Sequence, residues 1–297
     1  MTSTIPLAAV GFIGLGDQGA PMARAIGASR YELNVWARRP QSLDALSATP
    51  HTVHRTVAEL GAASDIVLLV VRDDIDVIDI LENQGLLKSM KPGSIIVNHG
   101  TGDVDKATDI AAMAAAYGIS VLDAPVSGGG PGAEARQLTT IAGGDRTTFD
   151  RATAVFQTFS SAVVYMGPAG SGQVAKLLNN ALTMTNLKNA EDVLGFADVL
   201  GVDVAAFLQL LRTSSGGSFV LNALGNEITS ELAPHLQVLM KKDMEHFADA
   251  ISREGVDVDE VRARGIAGAE GLVTVTELVD RHLAASAVAA TATATAA

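Results

Sequence analysis

Short apolar runs alternate with stretches of helical apolar spacing over the first half of the chain. The runs predict strands at Leu7–Ile13, Glu32–Ala37, Ile66–Val71, Ser94–Val97, Ser120–Leu122, Leu138–Ala142 and Val163–Met166. Helices are predicted over Gly19–Ala28 and Asp105–Tyr117, and Lys91-Pro92-Gly93 makes the turn before the fourth strand. Strands that are apolar on both faces and alternate with helices indicate a parallel, doubly wound sheet.

The character changes after Gly167-Pro168-Ala169-Gly170. From Gln173 to Leu200 there is no proline and a single glycine, and the apolar spacing is helical, which predicts one long helix leading out of the first domain. Further helices are predicted at Val204–Arg212, Phe219–Ile228, Leu236–Glu254 and Val258–Val279. The expected fold is therefore a Rossmann-type α/β domain over residues 1–167, joined by a long interdomain helix to an all-α C-terminal domain over 168–283. The Ala/Thr/Ser run over 284–297 reads as a frayed or disordered tail.

Composition narrows the function classes. With 297 residues and 48% hydrophobic content, the chain can bury a sizeable core and fill about two domains. A net charge of −12 argues against a general nucleic-acid binder, which needs a basic face. The absence of cysteine excludes disulfides, thiol nucleophiles and Cys-based zinc sites, and fits an expected cytoplasmic location. Met1 to Leu15 is apolar but has no basic leader, so it reads as a first strand rather than a signal peptide. No run reaches the roughly 20 apolar residues of a membrane span, and no membrane partner is expected.

The first strand leads into Gly14-Leu15-Gly16-Asp17-Gln18-Gly19, a G-x-G-x-x-G spacing that opens the first helix. Such glycines allow a tight turn and a close approach of backbone to a pyrophosphate, which the helix N-terminus then attracts. The bland alternative is a glycine-rich turn without a ligand, and a methyl-donor nucleotide is also conceivable on such a fold. An NAD site normally places an acid at the end of the second strand, about 20 residues on. Here Ala37 holds that place and Arg38 and Arg39 follow, which suits a 2′-phosphate. NADP(H) is therefore expected to be preferred, with NAD(H) possible.

A second chemical candidate lies at Gly170–Asn180. Lys176 and Asn180 are four apart, so on a helix they share a face, within an otherwise apolar run. A lone lysine is usually a solvated surface charge; this setting favours a buried acid/base instead.

With these motifs in view, the chain resembles the β-hydroxyacid dehydrogenase family. That family includes 3-hydroxyisobutyrate dehydrogenase, tartronate semialdehyde reductase and glyoxylate/succinic semialdehyde reductase. The resemblance spans about Val10 to Ala250 and rests on four motifs: Gly14–Ala23, Asp123–Gly129, Gly170–Asn180 and Lys241-Lys242-Asp243. It implies that Lys176 is the general acid/base, with Asn180 holding the reacting hydroxyl or a neighbouring substrate group. A free lysine titrates near 10.4, so a working acid/base should have a lowered pKa. Asn179, the chain neighbour of Asn180, could contact substrate from the helix edge, and Ser127, Gly128 and Gly129 would bind the substrate carboxylate. Thr101 and Lys242 would lie near the cofactor, and Val71, ending the third strand, is counted with the cofactor-binding residues.

The chain departs from the family pattern at Asn98-His99-Gly100-Thr101-Gly102, at Arg72, at Arg136 and at Gly217. His99, near the expected cleft, is read as a substrate-shaping or satisfied polar residue rather than a catalyst, and no carboxylate or second histidine is spaced to make a metal site with it. Arg72 and Arg136 could each meet a second anionic group or simply be exposed. The leading expectation is an NADP(H)-preferring oxidoreductase interconverting a small β-hydroxy acid and its semialdehyde, working as a homodimer or homotetramer. The alternatives are an imine reductase-like NADPH enzyme, against which Lys176 argues, and a dinucleotide-binding protein without catalysis.

Overall fold

The alternation of strands and helices is built as expected in a computed structural model, which describes residues 8–295. Leu7, Ala296 and Ala297, to which the sequence pattern assigned structure, lie outside the described residues. The chain divides into two compact units, the first ending at Lys176 and the second beginning at Leu177. The division falls inside the helix that follows the Gly167–Gly170 turn.

The first unit opens with β1 (Ala9–Ile13), α1 (Gly19–Gly27), β2 (Glu32–Trp36) and β3 (Thr52–Val53). It continues through α2 (Val57–Ala62), β4 (Ile66–Leu69), α3 (Asp74–Ile78), α4 (Leu86–Ser89) and β5 (Ile95–Asn98). After α5 (Val104–Ala115) come β6 (Ser120–Asp123), β7 (Val126–Ser127), α6 (Gly129–Glu134), β8 (Leu138–Gly144), α7 (Arg146–Phe156) and β9 (Ser160–Gly167). The strand order β3-β2-β1-β4-β5-β6 is parallel throughout. The chain order reverses at β1, which pairs with β2 on one side and β4 on the other. A ligand crevice is expected outside the carboxyl ends of the strands at such a point.

Side chains of the central strands alternate between two cores, one on each face. Phe12, Ile66, Leu68, Ile95 and Val97 join Met22, Ile26 and Phe156. Ile13, Val67, Leu69 and Ile96 join Leu60, Ile80 and Ile110 on the other face. That explains why these strands read as unbroken apolar runs. The sheet is parallel except around one strand. β8 runs antiparallel to β6 and β7, and parallel to β9. The short β6–β8 connection through β7 and α6 returns the chain without a full crossover.

α8 (Ser171–Val199, 29 residues) carries the chain from the first unit into the second. The second unit contains α9 (Val204–Thr213), α10 (Phe219–Ala223), α11 (Ala233–Arg253), α12 (Asp259–Glu270) and α13 (Leu272–Thr295). Leu187, Leu194, Leu208, Leu221, Val275 and Val279 form its core. Two predicted helices and the tail differ from the expectation. The one over Phe219–Ile228 stops at Ala223, because Gly225 takes a left-handed φ of 76°. The one over Val258–Val279 breaks at Gly271, where a Cβ would run into the Glu191 carboxylate. The tail read as frayed from Ala284 is instead helical to Thr295, in keeping with the high helix propensity of alanine.

Candidate active site

The glycine loop joins β1 to α1 at the point where the strand order reverses. Gly14 has φ 104°, and a Cβ there would overlap the Val70 carbonyl oxygen at the end of β4. A Cβ on Gly19 would overlap the Gly14 carbonyl oxygen. Only glycine lets the loop and helix pack this tightly. Gly16 differs, since a Cβ there would meet nothing within 4 Å. It presents bare backbone to open space, as a close approach by a pyrophosphate would require. The first turn of α1 carries no acidic residue, and Asp17 and Gln18 precede it with exposed and half-buried side chains.

Beside this loop lies a groove of about 470 Å³, floored by Gly14, Leu15, Gly16, Val70 and Val71. Its far wall is Trp36, Ala37, Arg38, Arg39 and Ser42. The residues fit a dinucleotide: glycines free of Cβ, a helix N-terminus, and two arginines beyond a neutral Ala37. Arg38 and Arg39 both line the groove as expected, but they are not equivalent. Arg38 donates to Asp76 Oδ1 at 2.7 Å, whereas among the described residues Arg39 makes no ion pair. The Asp76 hydrogen bond and charge, with Asp79 and Asp73 further off, hold the Arg38 guanidinium above its ordinary pKa. Arg72 also lines the groove, largely exposed and bonded to Asp73. Asp76, Trp36 and Ser42 join the groove without a signal in the sequence, because nothing local marks α3 as facing the end of β2.

A second cluster in the same unit joins the end of β6 to the start of α8. The Asp123 carboxylate is buried and accepts from Gly170 N and Gln173 N, each at 2.9 Å. Burial pushes the Asp123 carboxyl above the ordinary carboxylate range, against the pull of these donors. The Gln173 side chain, also buried, donates to the Gly100 carbonyl at 2.7 Å and accepts from Gly102 N at 3.0 Å. Gln173 therefore pins the half-buried Thr101 loop to the helix that carries Lys176, three residues on. Lys176 is buried. Ser127, Gly128 and Gly129 are half-buried at the turn into α6, with φ of 129° and 63° at the two glycines. The neighbouring Gly130 lies beside Asp17, which brings this loop next to the nucleotide loop. Arg136, at the exposed end of α6, has φ 57°, a conformation that explains why glycine suits this position better.

His99 takes the second of its two readings, a polar side chain satisfied at its Nδ1. Its ring is 3% exposed and packs edge-on against Phe156 and Phe159. Its Nδ1 lies 2.7 Å from the Ala124 carbonyl oxygen, while Nε2 is buried without a partner. The carbonyl fixes the proton on Nδ1, and two aromatic edges close the other side. Burial lowers its pKa to about 4. Because the folded value lies below the unfolded one, this neutral ring contributes stability that is complete above about pH 6.5 and is lost as pH falls toward 4. The loss should total about 3 kcal/mol. His99→Asn keeps a donor for Ala124 and should flatten the urea-midpoint profile over that window. An unchanged profile would remove the histidine as its cause.

In the second unit, Asn180 is half-buried and donates to Asp243 Oδ2 at 2.8 Å. Asn179 is exposed and donates to Asn180 Oδ1 at 3.2 Å. Lys242, on α11, has its Nζ 3.8 Å from Asp243 Oδ1. Asp243, which the sequence analysis left without a role, therefore orients the Asn180 amide.

Comparison with known proteins extends this picture. The family model described as the NAD binding domain of 6-phosphogluconate dehydrogenase matches residues 9–167. A second, described as NAD-binding of NADP-dependent 3-hydroxyisobutyrate dehydrogenase, matches residues 170–265. The NAD-dependent L-serine dehydrogenase of Pseudomonas aeruginosa is 32% identical over 213 residues, 71% of this chain and 72% of that protein. The probable 3-hydroxyisobutyrate dehydrogenase-like 2 of Arabidopsis thaliana is 31% identical over 81% of each chain. Among solved structures, 3-hydroxyisobutyrate dehydrogenase from Mycobacterium tuberculosis with L-serine superposes with a TM-score of 0.76. It covers 91% of this chain and 94% of its own at 24% identity, which speaks for the fold.

Proposed function

Since the chain belongs to the β-hydroxyacid dehydrogenase family, we propose that it is an oxidoreductase moving hydride between NADP(H) and a small β-hydroxy acid or its semialdehyde. The observation that carries this reading is one unit holding both a dinucleotide groove and a buried lysine at the start of α8. The nicotinamide supplies the hydride acceptor or donor. Lys176 takes the hydroxyl proton in oxidation, or gives a proton to the carbonyl oxygen in reduction. Asn180, held by Asp243, hydrogen-bonds the reacting hydroxyl, with Asn179 at the helix edge. Ser127 and the backbone of Gly128 and Gly129 bind the substrate carboxylate, since two successive glycine N–H groups and a hydroxyl suit one anion. Thr101 and Val71 contribute to the nicotinamide side, and Lys242 assists the cofactor from α11. Arg38 and Arg39 take the 2′-phosphate, which makes NADP(H) the preferred coenzyme. The named relatives act on L-serine or are called 3-hydroxyisobutyrate dehydrogenases, which supports a small hydroxy acid as substrate. Those names, together with Lys176, weigh against imine reduction.

Self-association as a dimer or tetramer belongs to the same reading. Leu182, Phe196 and Val199 of α8 are exposed, and light scattering showing a monomer would count against it. The direct test follows nicotinamide absorbance with NADPH and NADH against glyoxylate and the succinic, tartronate and methylmalonate semialdehydes, and with L-serine in the oxidative direction. Turnover of at least one compound, with a higher kcat/KM for the phosphorylated coenzyme, is the expected result. Equal efficiency with both coenzymes would remove the NADP(H) preference. Silence across the panel from a protein that still binds coenzyme would remove the catalytic reading.

A further inference from the structure

The nucleotide groove carries a carboxylate in contact with one of its arginines. Asp76 stands on α3, beyond the end of β4, and lines the same groove as Ala37, Arg38 and Arg39 at the end of β2. Its side chain is 20% exposed against 58% for Arg38, so the carboxylate is the better-fixed partner of the pair. Its own backbone N–H donates to Asp73 Oδ1 at 2.9 Å, which anchors the first turn of α3 beneath it. Asp73 and Asp79 flank it on the same segment. Arg38 is therefore engaged before any coenzyme arrives, whereas among the described residues Arg39 makes no ion pair.

Two coenzymes would meet this arrangement differently. A ribose 2′-hydroxyl needs an acceptor, which at the end of β2 is normally an acidic side chain and is here Ala37. Asp76 offers a carboxylate beside Arg38 instead. A 2′-phosphate, with its charge of about −1.5 to −2, would have to draw Arg38 away from Asp76 and sit beside that carboxylate.

We infer that Asp76 is a coenzyme-selectivity residue: it holds Arg38, accepts from the 2′-hydroxyl of NAD(H), and restrains the preference for NADP(H). This rests on the reading that Arg38 and Arg39 receive the 2′-phosphate, and it assigns the restraint to a residue on a different element. The groove then admits both coenzymes, and the balance between them is set by competition of one carboxylate and one phosphate for Arg38.

The test uses the full chain and does not depend on turnover. Trp36 is the single tryptophan of the chain and lines the groove, so its fluorescence reports binding of 5′-ADP and of 2′,5′-ADP directly. Asp76→Asn should tighten 2′,5′-ADP relative to 5′-ADP by about tenfold, the size of one partly screened charge–charge interaction. The kcat/KM ratio of NADPH to NADH should move the same way. Arg38→Ala should weaken 2′,5′-ADP selectively. Should Arg38→Ala do so while Asp76→Asn leaves the ratio unchanged, the role of Asp76 is overturned and the phosphate site stands. Should Arg38→Ala change neither ligand's affinity, the phosphate reading falls and the inference falls with it. The Asp76 carboxylate is partly exposed and its recorded side-chain partner is Arg38, so the asparagine variant is expected to fold, as far-UV circular dichroism would show.

Discussion

Replacing Lys176 by alanine should lower kcat by roughly 10²–10⁴-fold, the usual worth of a positioned acid/base. Coenzyme affinity should be retained, because the nucleotide groove is lined by residues of β1, β2, β4 and the segments that follow them. With Lys176 as the proposed acid/base, its proton would move only as hydride is transferred. Its removal should therefore depress kcat and kcat/KM together rather than raise KM alone. The size of the effect depends on the helix start being rigid. Asp123 accepts from Gly170 and Gln173, and Gln173 bonds the Thr101 loop on both its donor and acceptor sides. The ammonium is thus carried by a helix anchored at several buried points, which is the condition for precise proton delivery. Alanine also empties buried volume, so Lys176→Met is the companion variant: it keeps the stem and deletes the charge. If the methionine variant retained kcat within a few-fold, Lys176 would not be the acid/base.

The second large effect separates two glycines of one motif. Gly14→Ala should cost about 3–4 kcal/mol and lower the melting temperature by roughly 10 °C, since it combines an unfavourable φ with a hard overlap. The overlap is with the Val70 carbonyl, a backbone atom of the strand-end that pairs with β1, so no side chain can turn aside to relieve it. Coenzyme binding should be lost with the loop's shape. Gly16→Ala should behave in the opposite manner. Its new Cβ meets no protein atom, so the melting temperature of the coenzyme-free protein should not move. It projects where bare backbone is exposed, and the coenzyme Kd should rise by about tenfold or more. Thermal scans with and without NADPH distinguish the two. A destabilised Gly16→Ala, or a Gly14→Ala as stable as the parent, would contradict the assignment of one glycine to packing and the other to the ligand.

The loop and its strand and helix were legible because everything that specifies them lies within about two turns of chain. Phe12 and Ile13 point to opposite cores, which makes β1 apolar throughout, and the glycines mark the turn by their spacing. α8 was legible for a similar reason, since nearly thirty residues without proline leave few other outcomes. α7 falls in a stretch to which the pattern assigned no element. It carries Thr147, Thr148 and Thr153, weak helix formers, and is held instead by the Asp145 cap and by burial of Phe149, Ala152, Val155 and Phe156. The reversed direction of β8 was equally silent, because an apolar strand reads the same whichever way its neighbour runs.

The candidate site divides along the same line. Sequence alone determined the residue types that chemistry needs and their local spacing: three glycines at a strand end, two arginines after the next strand, a lysine and an asparagine one helical turn apart. Only the tertiary structure decided which of them meet and which turn inward. Asp76 reaches Arg38 across 38 positions of chain, and Asp123 reaches Gly170 across 47. His99, polar and placed at a strand end, was buried between two phenylalanines. Spacing along one element is fixed by the geometry of that element, whereas contacts between elements are fixed by how whole faces pack. That packing depends on every buried side chain at once, and no short segment records it.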